Sequence, residues 1–186
     1  MPLHTASEAA ADGAADPKAL RRALGTYATG VTVVTTRAAD GKPVGLTVNS
    51  FSSVSLEPPL VLWSLSRRSP NLVNFERASH FAINVLAADQ AWISQRFAGP
   101  AREKFADLDW EMGPGGAPLI HGCVSHFLCR QHCRHEGGDH VIVVGEVKRF
   151  THTDREPLVF LGGAYHRAAA HPGSGSAPGP CLQSQG

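Results

Sequence analysis

Three stretches of this 186-residue chain carry residue types that could do chemistry. In Ser64-Leu-Ser-Arg-Arg-Ser-Pro-Asn71, two arginines precede a Ser-Pro pair that reads as a helix start, with Ser69 as N-cap and Pro70 as the first helical residue. Hydroxyls, free helix N–H groups and guanidinium together make an anion site suited to a phosphate monoester. A plain capped helix with two solvated arginines accounts for the same residues equally well. The stretch Gly45-Leu-Thr-Val-Asn-Ser-Phe-Ser-Ser-Val-Ser55 mixes hydroxyls and an amide with apolar Leu46, Val48 and Phe51. A planar heterocycle with polar edges needs that mixture, although an edge strand with one wet face also shows it. The third stretch, Gly137-Gly-Asp-His140, is a turn leading a histidine into a strongly β-branched strand.

Other chemistries lack their residues. The chain has no Gly-x-Gly-x-x-Gly, no Gly-x-x-x-x-Gly-Lys-Ser/Thr and no Gly-x-Ser-x-Gly, so dinucleotide-wound, phosphate-loop and serine-hydrolase sites are not signalled. Between Gly122 and His135 the segment is rich in Cys and His. In an extended strand Cys129, Gln131, Cys133 and His135 share one face, where two thiolates and an imidazole could meet zinc. The spacing matches no finger and no second Cys/His pair completes four ligands, so we assign no metal.

These stretches must be positioned by a single domain. Residues 1–15 and 169–186 read as a disordered leader and a flexible Gly/Pro/Ser tail around a folded unit at 16–168. Asp16-Pro17 opens a helix whose apolar stripe is Ala19, Leu20, Ala23 and Leu24. Val31–Thr36 and Val44–Phe51 flank an Asp-Gly turn and form a hairpin. Further strands are expected at 60–65, 81–86, 119–135, 140–150 and 157–161, with short helices from Ser69 to about Ser79 and from Asp89 to Phe97. So much β with so little helix excludes a βαβ sheet and favours a mainly β fold, a closed or nearly closed antiparallel barrel with peripheral helices.

A formal charge of +1 gives no reason to expect nucleic acid or an anionic membrane as partner. The longest apolar runs, Leu60–Trp63 and Val141–Val144, are too short to span a bilayer, and Met1–Thr5 opens no secretion signal. Four cysteines, three of them within eleven residues, suit reduced thiols in a cytoplasmic protein.

The ordered set resembles the flavin reductase family with the FMN-binding split barrel. It comprises Val44–Val61, Phe81-Ala-Ile-Asn-Val85, Arg96-Phe97, Lys104-Phe105 and Gly138-Asp-His140, and the likeness runs from Leu20 through Tyr165. The resemblance implies a homodimeric six-stranded antiparallel split β-barrel that binds FMN or FAD. It implies an NAD(P)H:flavin oxidoreductase of the EC 1.5.1 type, passing hydride from NADH or NADPH to the flavin and supplying a partner monooxygenase. By the same resemblance Gly45, Leu46, Thr47, Asn49 and Ser50 line the isoalloxazine and ribityl chain, while Ser64, Leu65, Ser66 and Asn71 hold the phosphate end. Arg96, Phe97 and Tyr165 make further flavin contacts, and His140 stands beside the nicotinamide. The rival readings are a split-barrel oxidase of the pyridoxamine phosphate type and a non-catalytic flavin-binding protein.

Overall fold

The computed structural model describes residues 16–100 and 103–172. The expected leader 1–15 and most of the expected tail 169–186 lie outside the described residues. Helix α1 (Pro17–Leu24) starts where the sequence places it: the Asp16 carboxylate accepts the Lys18 N–H at 3.0 Å and Pro17 takes the first turn. None of its residues is buried, so among the described residues its apolar stripe stays largely open. After β1 (Thr29–Gly30), β2 (Thr32–Arg37) and β3 (Pro43–Val48) form the expected hairpin. Its turn is fastened by Asp40, which accepts the Lys42 N–H at 3.1 Å, and Gly41 supplies the positive φ of 86°.

Next come β4 (Ser52–Leu56), β5 (Pro59–Ser66), α2 (Leu72–Arg77), β6 (His80–Val85) and α3 (Ala91–Ala98). Short β7 (Trp110–Met112) and β8 (Pro118–Ile120) precede two long strands, β9 (Ser125–Gly137) and β10 (His140–His152), and then β11 (Leu158–Leu161) and β12 (Ala164–Arg167). The expected strand at 119–135 is thus two strands, parted by a turn at Gly122, whose φ is +73°. Among the described residues no helix is long and apolar enough to cross a membrane.

The main sheet is antiparallel in the order β3-β2-β6-β9-β10-β5-β4. Its edge strands β3 and β4 are consecutive in the chain and joined only by residues 49–51. In a flat seven-stranded sheet they would stand about 29 Å apart, whereas four Cα steps reach about 15 Å. The sheet must therefore curl until its edges meet. Val34, Val48, Trp63, Ile83, Cys129 and Val143, one from each of β2, β3, β5, β6, β9 and β10, accordingly share one buried cluster. Six strands enclose this core, as expected; β4 is a seventh that buries no residue. Among the described residues no ladder joins β3 to β4 or β5, which leaves the barrel split along that seam.

A second core lies outside the curled sheet. Val31 and Val33 point away from Val34 and pack with Leu86, Ile93, Phe97 and Leu158 beneath α3 and the small β1-β11-β12 sheet. Burial on both faces explains why Val31–Thr36 shows no polar alternation.

The shared face expected for Cys129, Gln131, Cys133 and His135 does not form. Gln131 pairs Gly145 while Cys133 pairs Val144, so His132 is bulged out and the strand's inside–outside alternation reverses there. Cys129 stays in the barrel core, where burial pushes its thiol up to about 12. Cys133 and His135 turn to the opposite face, with Cys133 Sγ 3.3 Å from His135 Nε2. Among the described residues no group of three or more His, Cys, Asp or Glu is placed to hold a metal.

Candidate functional site

The polar stretch at 45–55 is not one strand. It breaks at residues 49–51, the segment that bridges the seam, and its alternation assigns its side chains to different places. Leu46 and Val48 point into the barrel core, as does Leu65 of β5, which is 1% exposed. Gly45 and Thr47 face α3 instead. A Cβ on Gly45 would stand 2.7 Å from the Phe97 ring, so this glycine is required for packing. Thr47 donates its hydroxyl to the Ser94 carbonyl at 2.7 Å, and the fully buried Ser94 hydroxyl lies 2.8 Å from the Tyr165 hydroxyl. These bonds tie β3, α3 and β12 together around a cavity of about 190 Å³ that Thr47, Asn49, Ser94, Phe160 and Tyr165 help to line.

Asn49 and Phe160 also border a larger groove of about 560 Å³, walled by Arg21, Tyr27, Thr29, Ser50 and Phe51. Its size suits a cofactor-sized ligand. The Thr29 hydroxyl is buried in this wall without a hydrogen-bond partner among the described residues, and Asn49 is exposed. An orphaned hydroxyl and an exposed amide beside two aromatic rings fit a planar ligand with hydrogen-bonding edges.

Ser50 continues the β4–β5 hairpin, two residues beyond the Ser52–Leu62 pair. Its hydroxyl accepts the Ser64 N–H at 2.9 Å, fixing the groove against β5. Two residues further, about 7 Å along the strand, Ser66 stands directly opposite His140 in the β5–β10 ladder. The stretch Ser64–Asn71 and the Gly-Asp-His turn, 70 residues apart in sequence, are thereby neighbours. The Arg67 N–H bonds the Asp139 carbonyl at 2.9 Å and its Nε bonds the Gly138 carbonyl at 3.2 Å, locking the two turns together. Arg67 is further paired with Glu136, which leaves Arg68 as the cation here without a carboxylate partner among the described residues.

His140 is partly exposed, with Nδ1 2.6 Å from Asp139 Oδ1. That hydrogen bond, with the charge of the imidazole, holds the Asp139 carboxyl below its ordinary value. Nε2 is left to face outward.

Three expectations about these residues change. The helix after the serines begins at Leu72, with Asn71 as N-cap making no side-chain cap bond; Ser69 accepts the Asn71 N–H at 3.3 Å in a turn. A six-residue helix offers no anion site of its own, so hydroxyls, turn amides and Arg68 are what remain for a phosphate. Arg96 does not face the groove: its Nη1 donates to the Ala106 carbonyl at 2.6 Å and its guanidinium lies 4.9 Å from the Trp92 ring centre. Phe97 is 1% exposed and meets Phe105 edge-on at 5.0 Å, while Lys104 donates to the Phe97 carbonyl at 2.7 Å. The Arg96-Phe97 and Lys104-Phe105 pairs thus latch the loop at 103–109 onto α3. Ser94, Thr29, Arg21 and Phe160 were missed in the sequence; only Ser94, a polar residue on the buried face of an apolar helix, carried a readable signal.

Residues 24–169 match the family model described as flavin reductase like domain. The chain belongs to that family. FMN reductase (NADH) SmoA of Agrobacterium fabrum is 51% identical to this flavin reductase like domain over 155 residues, covering 83% of this chain and 88% of that protein. The reductase component of the flavin-dependent trigonelline monooxygenase of Acinetobacter baylyi is 46% identical over 150 residues; the match takes in 81% of this chain and 48% of that longer protein. Among solved structures, the Streptomyces globisporus C-1027 NADH:FAD oxidoreductase SgcE6, in complex with NAD and FAD fragments, superposes with a TM-score of 0.80 at 41% identity, covering 86% of this chain and 96% of that one. The antiparallel fold is that of the flavin reductases, and the family span contains the His140 turn and the groove wall apart from Arg21.

Proposed function

We propose that this protein is an NADH- or NADPH-dependent reductase of FMN or FAD, with the flavin ring in the groove beside Asn49 and its phosphate end toward Ser64, Ser66, Arg68 and Asn71. The observation that carries this reading is the Ser50–Ser64 bond at the end of the β4–β5 hairpin, because it brings an aromatic-walled groove within two residues of a strand end that faces His140. When bound, the flavin supplies the chemistry, accepting a hydride from the reduced nicotinamide nucleotide. Ser50, held by the Ser64 N–H, and the exposed Asn49 amide orient the ring edge; Tyr165, anchored through Ser94, lines the small cavity that shares Asn49 and Phe160 with the groove. Asp139 fixes Nδ1 of His140 so that Nε2 meets the nucleotide. The chain needs no nucleophile for this. Flavin titration tests the assignment: FMN should bind at least tenfold more tightly than riboflavin, the value of a charged hydrogen bond of about 1.5–3 kcal/mol. Equal binding of the two would refute the phosphate end, and NAD(P)H oxidation that fails to scale with added free flavin would refute the reductase.

The proposal extends to assembly and partners. Leu20, Leu24 and Tyr27 are 51%, 67% and 77% exposed on and just after an amphipathic helix none of whose residues is buried. A twofold homodimer would cover them; light scattering that gives an active monomer at micromolar concentration would reject it. The relatives named as monooxygenase reductase components support a flavin-dependent monooxygenase as recipient of reduced flavin. The unpaired thiols of Cys123, Cys129 and Cys133 support a cytoplasmic site.

A further inference from the structure

A second cavity, of about 500 Å³, lies between the β2–β3 turn, the end of α2 and the loop after β7. It shares no residue with the groove or with the His140 turn. Arg37, Arg77, Ser79 and His80 supply its polar walls. Among the described residues neither guanidinium has an acidic partner: the carboxylate in the lining, Asp40, is taken by the Lys42 ammonium at 3.3 Å and the Lys42 N–H.

Two of these groups are held in place. The loop after β7 carries Gly115 and Gly116 at φ of +77° and +80°, and there the chain runs flush against the Arg37 guanidinium and the His80 ring. A Cβ on Gly116 would stand 3.1 Å from Arg37 Cζ, and one on Gly115 would stand 2.8 Å from His80 Cγ. The glycine backbone therefore backs the Arg37 guanidinium and the His80 imidazole where any side chain would displace them. The Ser79 hydroxyl engages His80 Nδ1 at 3.0 Å, and the Thr36 hydroxyl donates to the His80 carbonyl at 2.9 Å, so Nε2 is the free ring atom. Unpaired cations are usually left mobile in water; braced ones are spaced for a ligand.

We propose that this cavity binds a phosphate-bearing small molecule, its phosphate held in the fork of Arg37 with Arg77 and His80 around it. A dianion suits two guanidiniums, an imidazole and a hydroxyl, and guanidinium forks match phosphate oxygens bidentately. The cavity exceeds one phosphate group, so the ligand carries a further polar body.

Pyrophosphate, titrated calorimetrically into the full chain against sodium chloride of matched ionic strength, tests this. A saturable site is expected whose affinity is lowered at least tenfold in Arg77→Ala and in Arg37→Gln and unchanged in Arg68→Ala, and which persists when saturating FMN occupies the Ser64–Asn71 end. Both arginines are exposed, but Arg77 packs against no glycine backbone, so its variant keeps the test alive should Arg37→Gln fail to fold. Heats that vanish at matched ionic strength would overturn the proposal. So would binding lost in Arg68→Ala and retained in Arg77→Ala, which would put the anion at the Ser64–Asn71 loop instead.

Discussion

The two ends of the candidate flavin site are built differently. At the groove end, Thr47, Ser94 and Tyr165 are joined by hydrogen bonds that pass through a fully buried serine, next to a core that includes Phe97 and Ile93. At the other end, His140 sits at a hairpin tip, partly exposed, held by a neighbouring carboxylate and by a locked pair of turns. One end is part of the folded core and the other is mounted on it. Binding geometry and folding stability are therefore coupled at the groove and separable at the histidine, because losing a buried polar contact strands its partner while an exposed one is replaced by water.

Substitutions can break that contrast. The largest effect is expected for His140→Ala: flavin affinity and melting temperature unchanged, with kcat/KM for the nicotinamide nucleotide down roughly tenfold to a few hundredfold, the worth of one positioned polar contact of about 1.4–3 kcal/mol. Stopped-flow reduction of bound flavin reads this directly, and a wild-type rate would return His140 to the surface. Gly45→Ala should cost about 1–3 kcal/mol of stability, since its methyl group enters the Phe97 ring. Flavin affinity should fall with it, because the same ring braces α3. Urea melts showing no loss would mean that α3 is free to shift. The smallest effect is expected for Ser94→Ala, about 1 kcal/mol of stability and a severalfold weaker flavin complex, as the Tyr165 hydroxyl loses its partner. A change in flavin reduction rate alone, with stability and affinity intact, would contradict the coupling.

Gln90 and Asn84 show the same logic away from the site. Asn84, fully buried in β6, donates to the Val33 carbonyl and accepts the Ile120 N–H, joining three strands. Gln90 closes onto Ala87 N–H and the His121 carbonyl. Beside it burial drives the Cys123 thiol up to about 12, so this cysteine stays a neutral core residue at any physiological pH.

The sequence by itself determined the local elements and the family. Asp16-Pro17, the Asp-Gly turn, the β-branched runs and the Gly-Asp-His turn each state a backbone preference that needs only near neighbours, and all became the elements they describe. The tertiary structure decided which face each side chain serves. One bulged residue, His132, reversed the alternation and separated Cys129 from Cys133 and His135. Phe97 turned inward because Gly45, 52 residues earlier in the chain, leaves it room. Ser50 met Ser64 because it continues the β4–β5 hairpin two residues beyond the Ser52–Leu62 pair, a register that the polar run itself does not state. Periodicity along a chain records spacing, whereas a face is defined by what packs against it, and that partner is fixed only when distant strands are in register.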